Sequence, residues 1–190
     1  MTLPTSIRSP RLELPALTLP QYERLLAGDA AEVGRELDAQ IGTTWLEEVH
    51  WLLDLRRRQL AEHPDHEPWL VRPIIRREAG EIAEAIGYVN FHAPPSDEGI
   101  AEIGYSLLPD WRRRGFALEA ARACLAWALG DSRVRTLRAS VAPDNEPSRR
   151  LIGKLGLVQT GEQWDPEDGL ELVYDIERDA FQAHLALDGA

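Results

Sequence analysis

The chain has 190 residues, of which 44% are hydrophobic and 28% charged, a balance typical of one folded globular domain over residues 1–190. No apolar run approaches the roughly 20 residues that cross a bilayer, and the first residues lack a signal-peptide pattern, so the sequence predicts no membrane partner and a cytoplasmic location. The net charge of −11 argues against a nucleic-acid partner, and a single cysteine, Cys124, excludes an intrachain disulfide.

The first half of the chain predicts two helices followed by three strands. Capping residues and the helical spacing of apolar residues place the helices at about 18–27 and 43–61, after a short strand at 10–17. Runs of strand-forming residues between turn-rich segments place the strands at about 69–77, 82–92 and 100–108. Because Pro73 cannot donate to a ladder, we expect its strand to lie at an edge or to carry a bulge.

The second half predicts an alternation of helices and strands. An alanine-rich helix at about 116–129 is expected to stop at a left-handed Gly130. The remaining segments are a strand at 134–141, a short helix at 146–155, strands at 157–164 and 170–177, and a helical turn or two at 178–188. Together these elements predict a mixed α/β fold of the α+β type, with a mostly antiparallel sheet of about six or seven strands flanked by helices.

The most informative segment is the loop between the third strand and the alanine-rich helix. It holds Arg112, Arg113 and Arg114 and leads into Gly115 at the start of the helix. Free backbone N–H groups and the helix dipole form an anion site there, and a glycine lets the backbone approach a phosphate closely. The arginines predict a small anionic ligand, although a solvated basic face is the simpler interpretation of such a cluster.

Two motifs in this region resemble the GCN5-related N-acetyltransferase (GNAT) superfamily. The run from Arg112 to Ala117, with Gly115 in the fourth place, resembles the family's acetyl-CoA loop, Arg/Gln-x-x-Gly-x-Gly/Ala. A second segment resembles Asn-x-x-(Ser/Ala)…Leu-Gly-Phe, with leucine in place of phenylalanine: Asn145, Ser148, Leu151, Leu155, Gly156 and Leu157. The opening at 10–17 is similar to the subgroup that acetylates ribosomal-protein N-termini.

The resemblance implies a splayed GNAT-like sheet with a cofactor-binding half at about 100–157. The acceptor side would then come from about 18–70 and 157–177. Acetyl-CoA is the implied co-substrate, without a metal. The implied acceptor is a primary amine, on a small cationic molecule or a protein N-terminus. A homodimer is compatible with the family.

The resemblance also assigns the residues that would bind the cofactor. The amides of the loop, namely Arg113, Arg114, Gly115, Phe116 and Ala117, would hold the pyrophosphate. The backbone of Leu107 and Leu108 would pair with the pantetheine arm, which Asn145 would also contact. Arg149 could face the nucleotide end, while Arg112 and Ser148 complete the two motifs. As an alternative, Asn145 caps the helix that follows it.

Glu102 is the first candidate for the catalytic base. It precedes the loop on a strand, where the histone-acetylating branch of the family keeps its catalytic glutamate; the alternative is a structural or solvent-facing carboxylate. The family often has a tyrosine that protonates the departing thiolate, but Ile152 occupies that position here. Tyr105 and Tyr174 are the remaining phenols, and each is also expected to pack structurally.

Other side chains have simpler explanations. His63 and His66 could bind a metal, but the intervening proline favours a polar loop. Cys124 is expected in the core, and a group of tryptophans either packs in the core or lines an acceptor cleft: Trp45, Trp51 and Trp69. Two other functions stay open, a catalytically silent acyl-CoA-binding module and an unrelated α/β domain that binds no CoA.

Overall fold

The computed structural model describes Leu3, residues 5–166 and residues 169–188. In chain order its elements are β1 (Ser6–Arg8), β2 (Leu12–Pro15), α1 (Leu19–Leu26), α2 (Ala30–Glu36), α3 (Thr43–Glu62), β3 (Arg72–Arg76), β4 (Glu84–Phe91), β5 (Ile100–Leu107), α4 (Phe116–Ala128), β6 (Thr136–Val141), α5 (Glu146–Lys154), β7 (Val158–Asp165), β8 (Gly169–Glu177) and α6 (Arg178–Asp188). Short 3-10 turns occupy Pro64–Trp69 and Pro109–Trp111. Within these residues, no helix has the length and apolarity that a bilayer crossing requires.

The strands form one eight-stranded sheet in the order β1-β2-β3-β4-β5-β6-β8-β7. Neighbouring strands are antiparallel except for β5 and β6, which are parallel. The expected six or seven strands become eight because the N-terminal segment turns back at Ser9 and Pro10 and forms the hairpin of β1 and β2. Helix α2 was also not predicted, since its seven residues are too few to show a helical period.

Helices cover the sheet unequally on its two faces. On one face, called the α3 face, α1 to α3 pack over the region of β3 to β5 around Trp45, Leu53 and Ala85. On the other, called the α4 face, α4 to α6 pack along the sheet around Phe91, Cys124 and other apolar residues. None of the described helices packs over β6 to β8 on the α3 face, so polar side chains of those strands remain accessible there.

Among the described strands, the sheet is open at the one parallel pair, β5 and β6. β5 and β6 pair over three residues each, from Ile100 to Glu102 and from Thr136 to Arg138. Beyond Glu102 and Arg138 the two strands have no register with each other. We call this opening between the ends of β5 and β6 the splay; it brings the loop after β5 and helix α5 after β6 to the same end of the sheet.

Strand β3 lies inside the sheet, so the expected edge position of Pro73 is wrong, whereas the expected bulge is present between Ile74 and Ile75. The pairing with β2 involves only Ile75 and Arg76, which leaves Pro73 paired with β4 alone. Arg72, at the start of this strand, is fully buried and donates to the carbonyls of Thr5, Leu14 and Pro68 at 2.7–2.8 Å. It thereby ties the N-terminal hairpin to the strand.

Two expected helix ends differ in detail. Helix α4 ends without a left-handed residue, because Leu129 is right-handed and Gly130 has no positive φ. A Cβ on Gly130 would lie 2.7 Å from the side chain of Leu3, so this glycine makes room for packing. The N-cap of α3 is Gly42 rather than one of the two threonines that follow it.

Candidate active site

The loop between β5 and α4 has the backbone form of an anion site. Arg113 and Gly115 are both left-handed, with φ of 61° and 84°. A left-handed φ is unfavourable for arginine, and such strain is commonly found where a ligand is bound. Across the described part of the chain, the amides from Arg113 to Ala117 donate no hydrogen bond. These amides lie at the N-terminus of a 13-residue helix, where the dipole favours an anion.

The N-terminal hairpin holds this loop in place through Glu119 in the first turn of α4. The Glu119 carboxylate accepts from the Ser9 hydroxyl at 2.7 Å and from the Arg11 amide at 2.9 Å. It also pairs with the Arg11 guanidinium at 2.7 Å. That guanidinium lies 4.3 Å from the centre of the Phe116 ring and donates to the carbonyl of Arg114 at 3.3 Å. The N-terminal hairpin thus fixes the loop and leaves its amides without hydrogen bonds.

The three loop arginines differ in their partners. Arg112 donates through Nε to the carbonyl of Leu107 at 2.9 Å. The Arg114 guanidinium lies 4.9 Å from the centre of the Trp111 ring. Among the described residues, Arg113 has no hydrogen bond or ion pair, so it is the arginine whose charge is least engaged.

The pairing of β5 decides which of its backbone groups face the splay. The Leu108 amide donates to Ile86 at 2.9 Å and the His92 amide to Glu102 at 3.0 Å, so even-numbered residues of β5 turn their polar groups to β4. Odd-numbered residues turn theirs the other way. Tyr105 and Leu107, beyond the last pair with β6, therefore direct theirs into the splay. The Leu108 amide is therefore already used and is not free to donate to a pantetheine arm as the resemblance implies.

The second motif lies at the other side of the splay, at the start of α5. Asn145 is the N-cap of this helix, and its side chain accepts from the Ser148 amide at 3.2 Å. The capping interpretation is confirmed. Arg149 does not extend toward a nucleotide end as expected: its guanidinium donates to the Tyr174 hydroxyl and to the carbonyl of Pro143, both at 3.1 Å.

Both candidate phenols lie on the α4 face. The Tyr174 hydroxyl accepts from Arg149, and the ring is buried among core residues. Burial raises the pKa of Tyr105, and the nearby Ser148 hydroxyl opposes this rise, although the pair forms no hydrogen bond of normal geometry. Glu102 lies on the opposite face, as strand alternation predicts. A phenol and Glu102 would therefore act from opposite sides of the splay.

Glu102 is the centre of a polar cluster on the α3 face, at the point where the splay begins. Its Oε1 accepts from the Ser140 hydroxyl at 2.6 Å, and its Oε2 lies 3.9 Å from Nδ1 of His92. The Gln163 amide donates to the Ser140 oxygen at 3.2 Å and to the Glu171 carboxylate at 2.9 Å. Three strands, β6, β7 and β8, and the residue that follows β4 thus contribute to the surroundings of this carboxylate.

Helix α3 forms one wall of this cluster. Glu48 accepts from the Ser106 hydroxyl at 3.3 Å, and Arg56 donates to the carbonyl of His92 at 3.0 Å. Trp51 is 57% exposed on the same helix, unlike Trp45 and Trp69, which are core residues. The opening over the α3 face is therefore bordered on this side by Glu48 and Arg56.

Sequence reasoning missed the partners of Glu102, since His92, Ser140 and Gln163 belong to no motif. Alternation along β6 places Ser140 on one face of its strand, but it does not say which strands are neighbours. Gln163 comes close because β8 lies between β6 and β7 in the sheet. This order can be read only from the folded chain.

The weaker alternatives are resolved by local contacts. His63, Asp65 and His66 bring their possible ligand atoms within 4.8 Å of one another. However, Arg56 donates to the side-chain oxygen of Gln59, so the Gln59 amide nitrogen donates to Nδ1 of His66 at 3.1 Å. A neutral His66 then carries its proton on Nε2, and a metal could bind there only if this proton moved to Nδ1, where the Gln59 amide already donates. The polar-loop interpretation is favoured.

Cys124 is fully buried in the core, as expected. Burial raises the pKa of its thiol to about 12, against the opposing charge of Arg72. Because the thiolate is the reactive form of cysteine, this thiol is not suited to act as a nucleophile.

Comparison with known proteins agrees with this geometry. The sequence model of the acetyltransferase (GNAT) domain matches residues 11–158. The uncharacterized N-acetyltransferase YoaA of Bacillus subtilis (strain 168) is 34% identical over 84 residues, which are 44% of this chain and 48% of that protein. The chain spans about half the length of the curated relatives it matches.

Solved structures are similar over nearly the whole chain. A GNAT-family acetyltransferase from Bacillus anthracis has a TM-score of 0.60 and 22% identity, over 92% of this chain and 99% of that one. RimJ of Mycobacterium smegmatis in complex with CoA-disulfide has a TM-score of 0.61 and 17% identity, over 97% and 93% of the two chains. At such identities the likeness establishes the fold.

Proposed function

This chain belongs to the acetyltransferase (GNAT) family, and from that membership we propose that it transfers an acetyl group from acetyl-CoA to a primary amine. The observation that carries the proposal is the loop from Arg113 to Ala117, whose free amides lie at a helix N-terminus beside an open sheet. This combination fits a long ligand that has a pyrophosphate at one end and an extended amide-bearing arm at the other.

We assign the cofactor contacts to groups that the fold leaves unpaired. The loop amides and Arg113 hold the pyrophosphate, while the Tyr105 backbone and the Leu107 amide pair with the arm as a strand would, since the Leu107 carbonyl already accepts from Arg112. The relative RimJ was solved with a CoA-disulfide, which supports a CoA ligand in this fold. When bound, acetyl-CoA supplies a thioester whose carbonyl carbon accepts the amine.

The acceptor amine approaches from the α3 face, where the sheet lacks a covering helix next to Glu102. Acidic side chains border this opening, among them Glu48 and Glu171, so a cationic amine is attracted to it. An α-amine, with a pKa near 8, loses its proton more readily than a lysine side chain, with a pKa of about 10.4. We propose that Glu102 supplies the negative charge that removal of this proton requires.

Thermal unfolding with and without acetyl-CoA tests the cofactor site. At about one hundred times its dissociation constant, a ligand adds roughly 2.7 kcal/mol to the free energy of unfolding. We expect an increase in Tm for the wild type and none for Gly115→Glu, whose carboxylate would lie among the free amides. Gly28→Glu is the matched control, because Gly28 also has a positive φ, of 91°, with open space around it. An equal increase in Tm for Gly115→Glu would place the cofactor elsewhere.

Release of free CoA thiol tests the reaction itself. The acceptors are Ala- and Ser-initiated tetrapeptide amides, spermidine and Nα-acetyl-lysine amide. We expect turnover of at least one of them, with the α-amines favoured. Binding of acetyl-CoA without turnover of any would instead favour a silent acyl-CoA-binding module.

A further inference from the structure

The His92 ring lies between Glu102 and the open half of β5. Its Nδ1 is 3.9 Å from the Glu102 carboxylate. Its Nε2 is 3.5 Å from where a Cβ on Gly104 would lie, so the absence of a side chain at Gly104 keeps that nitrogen uncovered. The ring therefore points one nitrogen at a carboxylate and the other along the strand toward the splay.

The backbone of His92 is firmly held while its ring stays accessible. Both Arg56 and Gln59 of α3 donate to the His92 carbonyl at 3.0 Å. The side chain of His92 is nevertheless 52% exposed. The Glu102 carboxylate behind the ring is fixed in turn by the 2.6 Å hydrogen bond from Ser140. A ligand over the splay can reach Nε2 without rearrangement of the strand.

From this geometry we infer that His92 takes the proton from the acceptor amine through Nε2, and that Glu102 acts behind it by orienting Nδ1–H. The inference rests on the proposed acetyl transfer and names the group that accepts the proton in that reaction. The ammonium form of the acceptor gives one proton to Nε2. Its nitrogen then forms a bond to the acetyl carbon as the carbon–sulfur bond breaks, the second proton passes to the departing sulfur, and the imidazolium returns its proton to water.

The charges around His92 suit this role. Desolvation lowers its pKa below the ordinary value of 6.5, so the ring is neutral and able to accept a proton at pH 7. The Glu102 charge opposes this shift most strongly, with smaller contributions from Glu171 of β8 and Asp165 of β7, while Arg56 of α3 adds to the lowering. An imidazole that is neutral at pH 7 can serve as a general base.

The tautomer of His92 provides a test that needs no acceptor. In free neutral histidine no carboxylate selects the tautomer. In this protein Glu102 is expected to hold the proton of neutral His92 on Nδ1. We would record imidazole 15N shifts at pH 8, with the His92 signal assigned by its loss in His92→Gln. An Nδ1–H form that is lost in Glu102→Gln supports the inference, and an Nε2–H form in the wild type overturns it.

Kinetics test the role directly, with acetyl-CoA and the amine that is turned over best. Loss of a general base lowers the rate by about 100-fold or more, so His92→Gln is expected to lose about 100-fold in kcat/KM at pH 7. The loss should shrink toward high pH, as the amine loses its own proton. The exposed His50→Gln on α3 is the control and should match the wild type.

Acetyl-CoA must still raise the Tm of His92→Gln, which shows that the variant folds and binds. If His92→Gln retains the turnover of the wild type with the same pH profile, the inference is overturned but the proposed function is not. A chain that binds acetyl-CoA but acetylates no amine overturns it together with the proposed function.

Discussion

At the scale of single residues, Glu119 shows how far the loop depends on a contact distant in sequence. Four donor groups from Ser9 and Arg11 converge on this carboxylate. Burial alone would raise the pKa of Glu119, but these hydrogen bonds and the charge of Arg11 outweigh it and hold the pKa below its usual value. Because the pKa is lowered in the folded state, the ionised carboxylate stabilises the fold at pH values above the usual pKa of glutamate. This stabilisation is lost as the pH falls through the folded-state pKa.

We expect Glu119→Gln to lower the free energy of unfolding by about 1–3 kcal/mol at pH 7, because charged hydrogen bonds are lost from a largely buried group. As the pH falls through the lowered folded-state pKa of Glu119, the wild type loses the same contribution, so the two proteins should converge at low pH. Urea unfolding at both pH values measures this. The exposed Glu47→Gln on α3 is the control, and a penalty for Glu119→Gln that persisted at low pH would contradict the electrostatic explanation.

At the scale of elements, the close approach of β4 and β5 determines the position of the splay. Gly87 allows it, since a Cβ there would lie 2.9 Å from Cα of Leu107 and closer still to the carbonyl oxygen of Ser106. The Trp45 indole also donates to the Gly87 carbonyl at 2.7 Å, which brings α3 against the same point. The strand that carries Glu102 is therefore positioned from two directions.

Gly87→Ala should lower the free energy of unfolding by about 1–3 kcal/mol, because β5 must move away from β4. Gly153→Ala is the matched substitution, for which the expected change in the free energy of unfolding has the opposite sign. Gly153 lies on α5, and no atom lies within 4 Å of an added Cβ. Alanine there should raise stability by about 0.5–1 kcal/mol, by helix propensity. Thermal unfolding of both variants checks the pair, and a neutral Gly87→Ala would mean that the two strands are not held together at this point.

The sequence predicts most elements because their signals are local. Helical spacing places α3 and α4, and the Asn145 cap with the left-handed Gly156 bounds α5. Residues such as Ser140 and His92 meet Glu102 through the strand order, which no local pattern encodes. Motifs indicate the cofactor loop because the loop is one continuous segment. They miss these partners because the cluster on the α3 face is assembled from several segments.

At the scale of the whole molecule, an acidic chain places a cluster of arginines beside its candidate site. The chain has a net charge of −11, yet Arg112, Arg113 and Arg114 adjoin one end of the splay. Acidic side chains border the opening on the α3 face. A chain with this distribution can attract an anionic cofactor to the loop and a cationic acceptor to the opening beside it.

Because of the splay, part of β5 has no hydrogen-bonded strand on one side. Amide hydrogen exchange would detect this directly. In the free protein, the amides of Tyr105 and Leu107 have no strand opposite them, whereas those of Gly104 and Ser106 face β4. Bound acetyl-CoA should slow exchange at the first two and leave the others unchanged, a protection pattern that alternates along β5. Uniform protection or none would contradict it. In that bound state the co-substrate would stand in for a strand beside the open half of β5.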